Sequence, residues 1–552
     1  MIKLNKILNA EEASTFSEPY ETIPIVVGVT GHRDIRSEDQ DALKNSIIKE
    51  LQGLKESYPH SSIVMLNSLS RGGDTLSALC ARELNIKLVC ALPLPIEEYV
   101  NDFSNEDLET FNDLVDYAQD VFVVSNTEKI PPDADMEFYY RQAGIYIVSH
   151  SHFLMALWDG TSLEDGNYGT SKMVDLMLNG TFLPKNGKAL YTGENEAVLQ
   201  IYTPNESTAA SSNLVGEAIW MGNYDKLKQS LEKTDEFNSL IEETEGNGYG
   251  ILPDRDYEDT ILDNLENFFS KADALSLKFQ KTYIRVLGLL ALTGSIITFS
   301  FLLYENLKFY YMIVVCGIML IIAWMELYYV KKSDCQNHYI EFRTLAEGLR
   351  VQALLRYAGS SIQASELFTW SQQLEKAWIM KAIRALSIGP EPSRENEIID
   401  CWIRDQEVYH RNAAERVKKD FEGNERILNM AIAVSILLYI AAFFFEITIG
   451  DLTRVSLFSI GEPDAYRMFI FVTLGTISAA TLFFSNYYGK QALSRKSSDH
   501  AHMALFYKHI EEQLLKFGQS DELLRYIAHE EIIENSNWAS YQSDNKVDLK
   551  VG

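Results

Sequence analysis

Two apolar stretches in the middle of the chain constrain its fold more than any other feature. They are Val286–Tyr304 and Phe309–Val330, and the short turn 305–308 separates them. Each is long enough, as a helix, to cross the roughly 30 Å hydrocarbon core of a bilayer. A soluble helix of this length would carry a polar face, whereas the only charged residue in the two stretches is Glu326. The sequence therefore predicts a transmembrane hairpin.

A second pair of apolar stretches, Ile427–Phe445 and Met468–Tyr488, repeats this layout nearer the carboxyl end. Each hairpin is entered by a polar helix and left by a long amphipathic one. The exit segments, Asp334–Leu349 and Asp499–Leu515, resemble each other in sequence. We interpret the two hairpins as an internal duplication, with two unrelated hairpins as the alternative.

The cations around the four stretches predict their orientation. Fourteen Lys and Arg residues lie within 15 residues of the outer ends of the hairpins, against three in the two turns. Because cations are enriched on the cytoplasmic side of membrane helices, both termini are expected in the cytoplasm. Glu326 and Glu446 lie near predicted membrane edges, where a carboxylate either serves a pore or gate or simply reaches the headgroups.

The first 205 residues follow a different pattern, in which apolar runs alternate with amphipathic segments. Runs such as Ile23–Val29, Ile86–Leu92 and Ser151–Trp158 have the continuous apolar character of strands buried on both faces. Strands that alternate with helices at this spacing predict an α/β fold with a doubly wound parallel sheet. The leader, residues 1–20, has no apolar segment of the kind found in signal peptides, and residues 206–256 are predicted to be a helical linker.

Polar and glycine-rich residues follow three of the predicted strands. Such sheets bind ligands outside the carboxyl ends of their strands, and Arg side chains with helix N-terminal N–H groups bind phosphate. Tyr140 and Arg141, on the helix before the fifth strand, either face the same rim or cover the sheet. Asp74 is either the N-cap of its helix or a partner for a ribose hydroxyl. The strand-end residues are Thr30, Gly31, His32 and Arg33 after the first strand, Ser70, Arg71, Gly72, Gly73 and Asp74 after the second, and Asp159, Gly160, Gly169 and Thr170 after the fifth.

Three sequence runs in this region carry a family resemblance. The runs are VVGVTGHRDI, LSRGGDTLSALCARELNIKLVCALPLPIEEYVNDF and SHFLMALWDG followed by YGTSKMV. They resemble the SLOG family, a Rossmann-like fold related to LOG phosphoribohydrolases and DprA-type nucleotide binders, over about residues 20–205. The resemblance implies that residues 21–205 bind a nucleotide or nucleotide-derived signal. The residues at matching positions are Gly31, Arg33, Gly72, Gly73, Asp74, Gly169 and Thr170.

One departure from that family bears on catalysis. Its enzymes carry a Pro-Gly-Gly-x-Gly-Thr-x-x-Glu stretch, whereas residues 165–172 here read DGNYGTSK. The paired glycines and the following Glu are missing, which favours binding of the ligand over N-glycosidic hydrolysis. No other catalytic constellation is recognisable, so no catalytic residue is predicted.

The membrane region carries a second resemblance. The runs FRTLAEGLRVQALLRYAG and CWIRDQEVYHRNAAERV are similar to SLATT domains, two-span membrane modules that accompany nucleotide sensors in bacterial anti-phage systems. The resemblance implies two successive modules, residues 257–385 and 395–535, before a polar tail, 536–552. It also implies a bacterial inner (plasma) membrane location and an effector that disrupts or perforates the bilayer.

Composition narrows the range of partners. The formal net charge of −29 argues against an extended contact with a nucleic-acid polymer, which requires a basic surface. The five cysteines lack metal-ligand spacing, so neither a metal site nor a cofactor is expected. The expected partners are a small nucleotide ligand, membrane lipid and further copies of the chain. Further copies are expected because four spans enclose little room for a pore.

The sequence thus predicts a nucleotide sensor joined to a membrane effector. The alternatives are a membrane-anchored nucleotide hydrolase and a non-conducting scaffold or receptor.

Overall fold

The computed structural model describes residues 19–124, 135–161, 169–180, 196–204, 214–452 and 463–544, apart from the side chains of 445–452 and 463–467. The chain forms two compact units, neither of them continuous in sequence. The sheet unit comprises Met1–Leu275, Glu341–Ile398 and Gln519–Ala539, and the helical unit comprises Ser276–Ile340, Ile399–Gly518 and Ser540–Gly552. The predicted division into two successive membrane modules is a different grouping and stays a prediction.

Seven strands form a single sheet within the described part of the sheet unit. Its strand order is β4-β3-β2-β1-β5-β6-β7. The neighbouring strands are parallel except for β7, which pairs antiparallel with β6. The order changes direction at β1, which lies between β2 and β5. The strands are β1 (Ile25–Gly31), β2 (Ile63–Asn67), β3 (Lys87–Leu92), β4 (Asp120–Val123), β5 (Phe153–Trp158), β6 (Ala197–Tyr202) and β7 (Ala218–Gly222).

The sequence pattern predicts six of these strands, and the predicted α/β class with a mostly parallel sheet is confirmed. It misses β7, which lies in the region predicted as a helical linker. This strand, AIWMG, is a short edge strand whose residues are only partly buried or exposed, and an apolar run of five residues does not by itself distinguish a strand from part of a helix. Its antiparallel pairing also corrects the expectation of a wholly parallel sheet.

The helices of the sheet unit bury one apolar face each against its core. In α1, the buried residues Leu43, Ile47 and Leu51 recur at the spacing of a helix face, as the sequence predicts. The helices that lie within this unit are α1 (Gln40–Ser57), α2 (Gly73–Glu83), α3 (Ile96–Tyr99), α4 (Asn105–Tyr117), α5 (Met136–His150), α6 (Thr170–Asn179) and α7 (Tyr224–Ile241).

The segment Glu341–Ile398 adds further helices to this unit. The ring of Trp378 packs against those of Phe237 and Phe342, and its indole N–H donates to Glu341 at 2.9 Å. One continuous helix is predicted over residues 363–385, but the structure breaks it at Lys376, where the backbone leaves the helical region. The elements in this region are a 3₁₀ turn (Ala364–Glu366) and the helices α11 (Trp370–Glu375) and α12 (Ala377–Leu386).

Among the described residues, four helical stretches are long and apolar enough to cross a membrane, as judged by length and composition. The helices entering the two hairpins, α8 (Thr260–Leu307) and α13 (Asp405–Leu452), are each 48 residues long. The second helix of each hairpin ends at a residue with positive φ, Asp334 or Ala492, and a further helix begins at once. The two hairpins therefore share one layout. The helices are α8 (Thr260–Leu307), α9 (Met312–Ser333), α10 (Cys335–Tyr357), α13 (Asp405–Leu452), α14 (Pro463–Gln491), α15 (Leu493–Phe517) and α16 (Asp521–Asp544).

Candidate functional site

A cavity of about 330 Å³ opens in the sheet unit beside the carboxyl ends of β1 and β5, where the strand order changes direction. It is bordered by the segments after β1, β2 and β5, by one face of α5 and by the start of α6. Ten of the predicted ligand residues line it together: Thr30, Gly31, His32, Arg33, Ser70, Asp74, Tyr140, Arg141, Gly169 and Thr170. Arg71, Gly72, Gly73, Asp159 and Gly160 are not among the lining residues.

Glycines allow the end of β1 to approach the start of α2 closely. A Cβ atom on Gly31 would lie 2.8 Å from the Cα of Gly73, and one on Gly73 would lie 2.9 Å from the Cα of Gly31. Gly72 is the N-cap of α2 with φ of 89°, and a Cβ there would lie 2.3 Å from the carbonyl oxygen of His32. These glycines therefore set the backbone of the corner between β1 and α2.

Asp74 lies in the first turn of α2, so it is not the N-cap, which is Gly72. The hydroxyls of Ser68 and Ser70 both donate to its Oδ2, each at 2.8 Å. Its Oδ1 is buried without a hydrogen-bond partner among the described residues, and the residue as a whole is 3% exposed. Burial raises the pKa of Asp74 to about 6, against the opposing effects of the two serine hydroxyls and the charge of Arg33.

Replacing Asp74 with Asn is expected to stabilise the protein at neutral and alkaline pH. Since the pKa of Asp74 is raised in the folded state, its ionised form opposes folding above about pH 6, and this effect fades as the pH falls towards 3.8. Asp74→Asn should therefore raise the free energy of unfolding near pH 8 by on the order of 2 kcal/mol.

The measurement is the thermal midpoint of the detergent-solubilised chain, followed by Trp fluorescence as a function of pH. The difference between variant and wild type should shrink as the pH approaches about 4. A variant no more stable than wild type at alkaline pH would contradict the assignment of a buried, ionised carboxylate.

His32 is oriented by the turn that follows β5. The N–H of Asp159 donates to Nε2 of His32 at 3.3 Å, and one carboxylate oxygen of Asp159 lies at the same distance from that nitrogen. The same carboxylate accepts from the N–H and the hydroxyl of Thr161, at 2.9 and 2.6 Å. Gly160 supplies the positive φ that this turn requires. Asp159 and Gly160 thus position a cavity residue.

Two of the three predicted arginines, Arg33 and Arg71, occupy different environments. The guanidinium of Arg33 lies 4.6 Å from the centroid of the Tyr140 ring, and the hydroxyl of Tyr140 donates to Asp102. Arg33 is therefore held beside the cavity by a cation–π contact. Arg71 instead pairs with Asp34 at 2.9 Å, with both side chains about half exposed. An exposed ion pair of this kind contributes little stability.

Several lining residues are missed by the sequence prediction: Ser68, Gly144, Ile147, Val148, Thr161, Ser171 and Met173. Helix α5 contributes three of them, and with Tyr140 they follow helical spacing along one face. Extending the face marked by Tyr140 along α5 would have found them. Thr161 follows the predicted Gly160, and Ser171 and Met173 lie in the first turn of α6 with the predicted Thr170.

The start of α6 presents backbone donors to the cavity. Its N-cap is Gly169, which provides no side-chain cap, and its first turn contains no acidic residue. A Cβ atom at Gly169 would contact nothing within 4 Å among the described atoms. The N-terminal N–H groups of a helix lack intrahelical acceptors and carry partial positive charge. This end of the cavity therefore suits an anion.

Neither of the two glutamates predicted at membrane edges is among the residues that line this cavity. Glu326, in α9, accepts a hydrogen bond from the hydroxyl of Thr293 in α8 at 3.2 Å, within the helical unit. The other carboxylate oxygen of Glu326 is buried with no partner among the described residues. Glu446 lies in α13, but its side chain is outside the described part of the chain. A pore or gate role for either residue stays a prediction.

No group of three or more His, Cys, Asp or Glu side chains in the described ranges is arranged to hold a metal ion. Neither a scan against protein-family models nor a search of curated proteins finds a match to this chain.

Proposed function

We propose that this protein is a membrane-embedded sensor. A nucleotide or nucleotide-derived signal binds the cavity of its Rossmann-like sheet unit and acts through the four spans. The proposal is carried by the convergence of residues from three strand ends, α5 and α6 on one cavity. That cavity lies where the strand order changes direction, which is where open α/β sheets bind their ligands. Its volume is at the lower end of the roughly 300–1,000 Å³ typical of ligand pockets, which suits a ligand of mononucleotide size.

The lining chemistry supports a nucleotide over an apolar ligand. Arg33 and Arg141 supply guanidinium groups, and the start of α6 supplies backbone N–H groups, all of which suit phosphate. Ile147, Val148 and Met173 provide an apolar wall of the kind that a base or sugar ring can pack against. Such local donors are compatible with a chain that is acidic overall.

A change in the sheet unit could reach the membrane through α8. The residues Thr260–Leu275 of this helix belong to the sheet unit, and its later residues form the first span. Within the sheet unit, Asp259 just before α8 pairs with Arg356 at 2.8 Å, and Asp273 on α8 pairs with Arg343 at 2.5 Å. We propose that the ligand favours one of two arrangements of these helices, since only differential affinity can shift such an equilibrium.

The biological setting is part of the same proposal. The resemblances to SLOG and SLATT sequences support a role in bacterial defence against phage, with both termini cytoplasmic at the inner membrane. They also support an effector that oligomerises, because four spans from one chain enclose little room for a pore.

Arg33→Ala is expected to weaken nucleotide binding far more than Arg71→Ala. Arg33 lines the cavity, whereas Arg71 pairs with Asp34 outside the lining residues, so it provides a matched control of equal charge. Loss of a charged hydrogen bond to phosphate should weaken binding about tenfold or more. Calorimetry measures the affinity of each detergent-solubilised variant for nucleotides identified in extracts of infected cells. Equal affinities in the two variants would contradict the placement of the phosphate.

Nucleotide-triggered leakage of dye from proteoliposomes is the expected result for a membrane effector. The Arg33→Ala variant, reconstituted at equal density, serves as the control and should leak less at the same nucleotide concentration. Binding with clustering of the protein but without leakage would instead support a scaffold or receptor.

Nucleotide hydrolysis is a second candidate, favoured by the pairing of His32 with Asp159 at the cavity. An imidazole whose Nε2 donates to a carboxylate can act as a general base through Nδ1, which requires the tautomer in which Asp159 accepts from His32 and does not donate to it. Release of product by sealed liposomes, abolished in His32→Gln, would favour this activity over membrane leakage.

A further inference from the structure

The two ends of the cavity differ in hydrogen-bonding character. At the corner formed by β2 and α2, the buried Oδ1 of Asp74 has no donor among the described residues, although the side chain lines the cavity. A buried carboxylate oxygen without a donor is costly, because it loses its hydration without replacement. A ligand that donates a hydrogen bond there would supply the missing partner.

The serine hydroxyls and the backbone N–H groups at this corner are already engaged, and the charge of Arg33 lowers the pKa of Asp74. The hydroxyls of Ser68 and Ser70 donate to Asp74, leaving their lone pairs as acceptors. The N–H of Gly73 donates to the carbonyl of His32 at 2.9 Å, and that of Thr75 donates to the carbonyl of Ser70 at 3.2 Å. The carboxylate of Asp74 also occupies the positive end of α2. A phosphate placed here would meet a carboxylate, so this corner suits a ligand group that donates.

The start of α6 has the opposite character. No acidic side chain lies in its first turn, and its N-cap residue, Gly169, offers no competing oxygen. The hydroxyl-bearing residues Thr170 and Ser171 line the cavity at this end. An anion here would gain backbone N–H groups and hydroxyl donors without an opposing charge in the first turn of α6.

We propose that this polarity fixes the orientation of the ligand, with Asp74 binding the vicinal hydroxyls of a ribose and the start of α6 binding its phosphate. The inference rests on the proposed nucleotide-binding function and makes Asp74 the residue that determines ribose specificity. In this orientation the phosphate does not bind at Gly72 and Gly73, whose role is to allow the close approach of β1 to α2. The pKa of about 6 leaves Asp74 mostly ionised near pH 7.5, so it can accept from both hydroxyls.

The test compares four ribonucleoside 5′-monophosphates with their 2′-deoxy counterparts, titrated into the detergent-solubilised full chain. Wild type should bind the ribose forms about tenfold or more tightly, because a site built around a hydroxyl rejects ligands that lack it. Asp74→Asn should reduce that preference to about twofold or less, by weakening binding of the ribose forms. Affinity for inorganic phosphate, bound at α6, should not fall.

Asp39→Asn is the matched control. Asp39 is also a buried aspartate of the sheet unit, 8% exposed, but it pairs with Arg36 and does not line the cavity. This variant should keep the wild-type preference for ribose. If Asp74→Asn does not fold, Ser68→Ala and Ser70→Ala each remove one acceptor and should each lower the preference.

The outcomes separate the two proposals. Wild type that binds none of the eight nucleotides would overturn the proposed function and this inference with it. Wild type that binds them with a ribose preference unchanged by Asp74→Asn would leave nucleotide binding in place and overturn the orientation. Asp74→Asn that binds inorganic phosphate more tightly than wild type, because a repelling charge has been removed, would place the phosphate at α2 instead.

Discussion

Gly72→Ala is expected to destabilise the sheet unit severely. Its φ of 89° is rarely adopted by a residue with a side chain, and a Cβ would lie 2.3 and 2.5 Å from the carbonyl oxygens of His32 and Arg33. Both neighbours are backbone atoms at the end of β1, so neither can rotate away. We expect a loss of about 3 kcal/mol or more, a large part of the 5–15 kcal/mol that stabilises a typical domain.

The thermal midpoint of the detergent-solubilised chain measures this effect, together with the yield of folded protein. Gly53→Ala is the control, because Gly53 is an exposed position of α1 with nothing within 4 Å of a new Cβ. Removing a glycine from a helix should stabilise the protein by about 0.5–1 kcal/mol. A Gly72→Ala midpoint close to that of wild type would contradict the described approach of β1 to α2.

The sequence predicts that the corner between β1 and α2 is a functional region, but it does not show which role each residue has there. A pair of glycines after a strand predicts a ligand loop as readily as a close backbone contact, and Gly31 and Gly73 come from segments more than 40 residues apart. The proximity of the two is set by the pairing of β1 with β2 and by the packing of α2 on β1, which no local pattern encodes. The same holds for Asp74. Its partners, Ser68 and Ser70, are near in sequence, but its burial depends on the whole sheet.

The strands and the candidate spans can be predicted because their signals are local in sequence. Continuous apolar runs such as Ile25–Val29 mark a buried strand wherever it packs, and a long uncharged helix marks a span by its own length. The edge strand β7 gives a weaker signal, because its apolar run is only five residues long and lies in a region otherwise predicted to be helical. Local pattern therefore shows which elements form, while the residues that line the cavity depend on how those elements come together.

Lys381→Met is the second substitution from which we expect a large effect. Lys381, on α12, is 4% exposed and donates to Glu196 and to the carbonyl of His152, each at 2.5 Å. Glu196 immediately precedes β6 and His152 immediately precedes β5. Lys381 therefore contacts both residues at the amino ends of these strands, whereas the cavity lies at the carboxyl ends. Removing the cation leaves the buried carboxylate of Glu196 without it, which should cost about 3–5 kcal/mol.

The double variant Lys381→Met/Glu196→Leu distinguishes a lost charge partner from lost packing. Replacing both members of a buried ion pair with apolar side chains is often neutral, so most of the stability should return. A double variant that remains as unstable as Lys381→Met would show that α12 depends on the shape of the lysine and not on its charge.

The pH dependence of the same variants gives an independent readout, because burial and the charge of Lys381 hold the pKa of His152 well below its usual range. Below about pH 6.5 the unfolded chain takes up a proton that the folded His152 resists, so wild type loses stability as the pH falls. Lys381→Met/Glu196→Leu removes the charge of Lys381, so the pKa of His152 should rise towards its ordinary value. Thermal midpoints measured between about pH 7 and 5 should therefore fall less steeply in the double variant than in wild type. Parallel slopes would show that burial alone keeps His152 neutral, with α12 joined to the sheet without any electrostatic effect on this histidine.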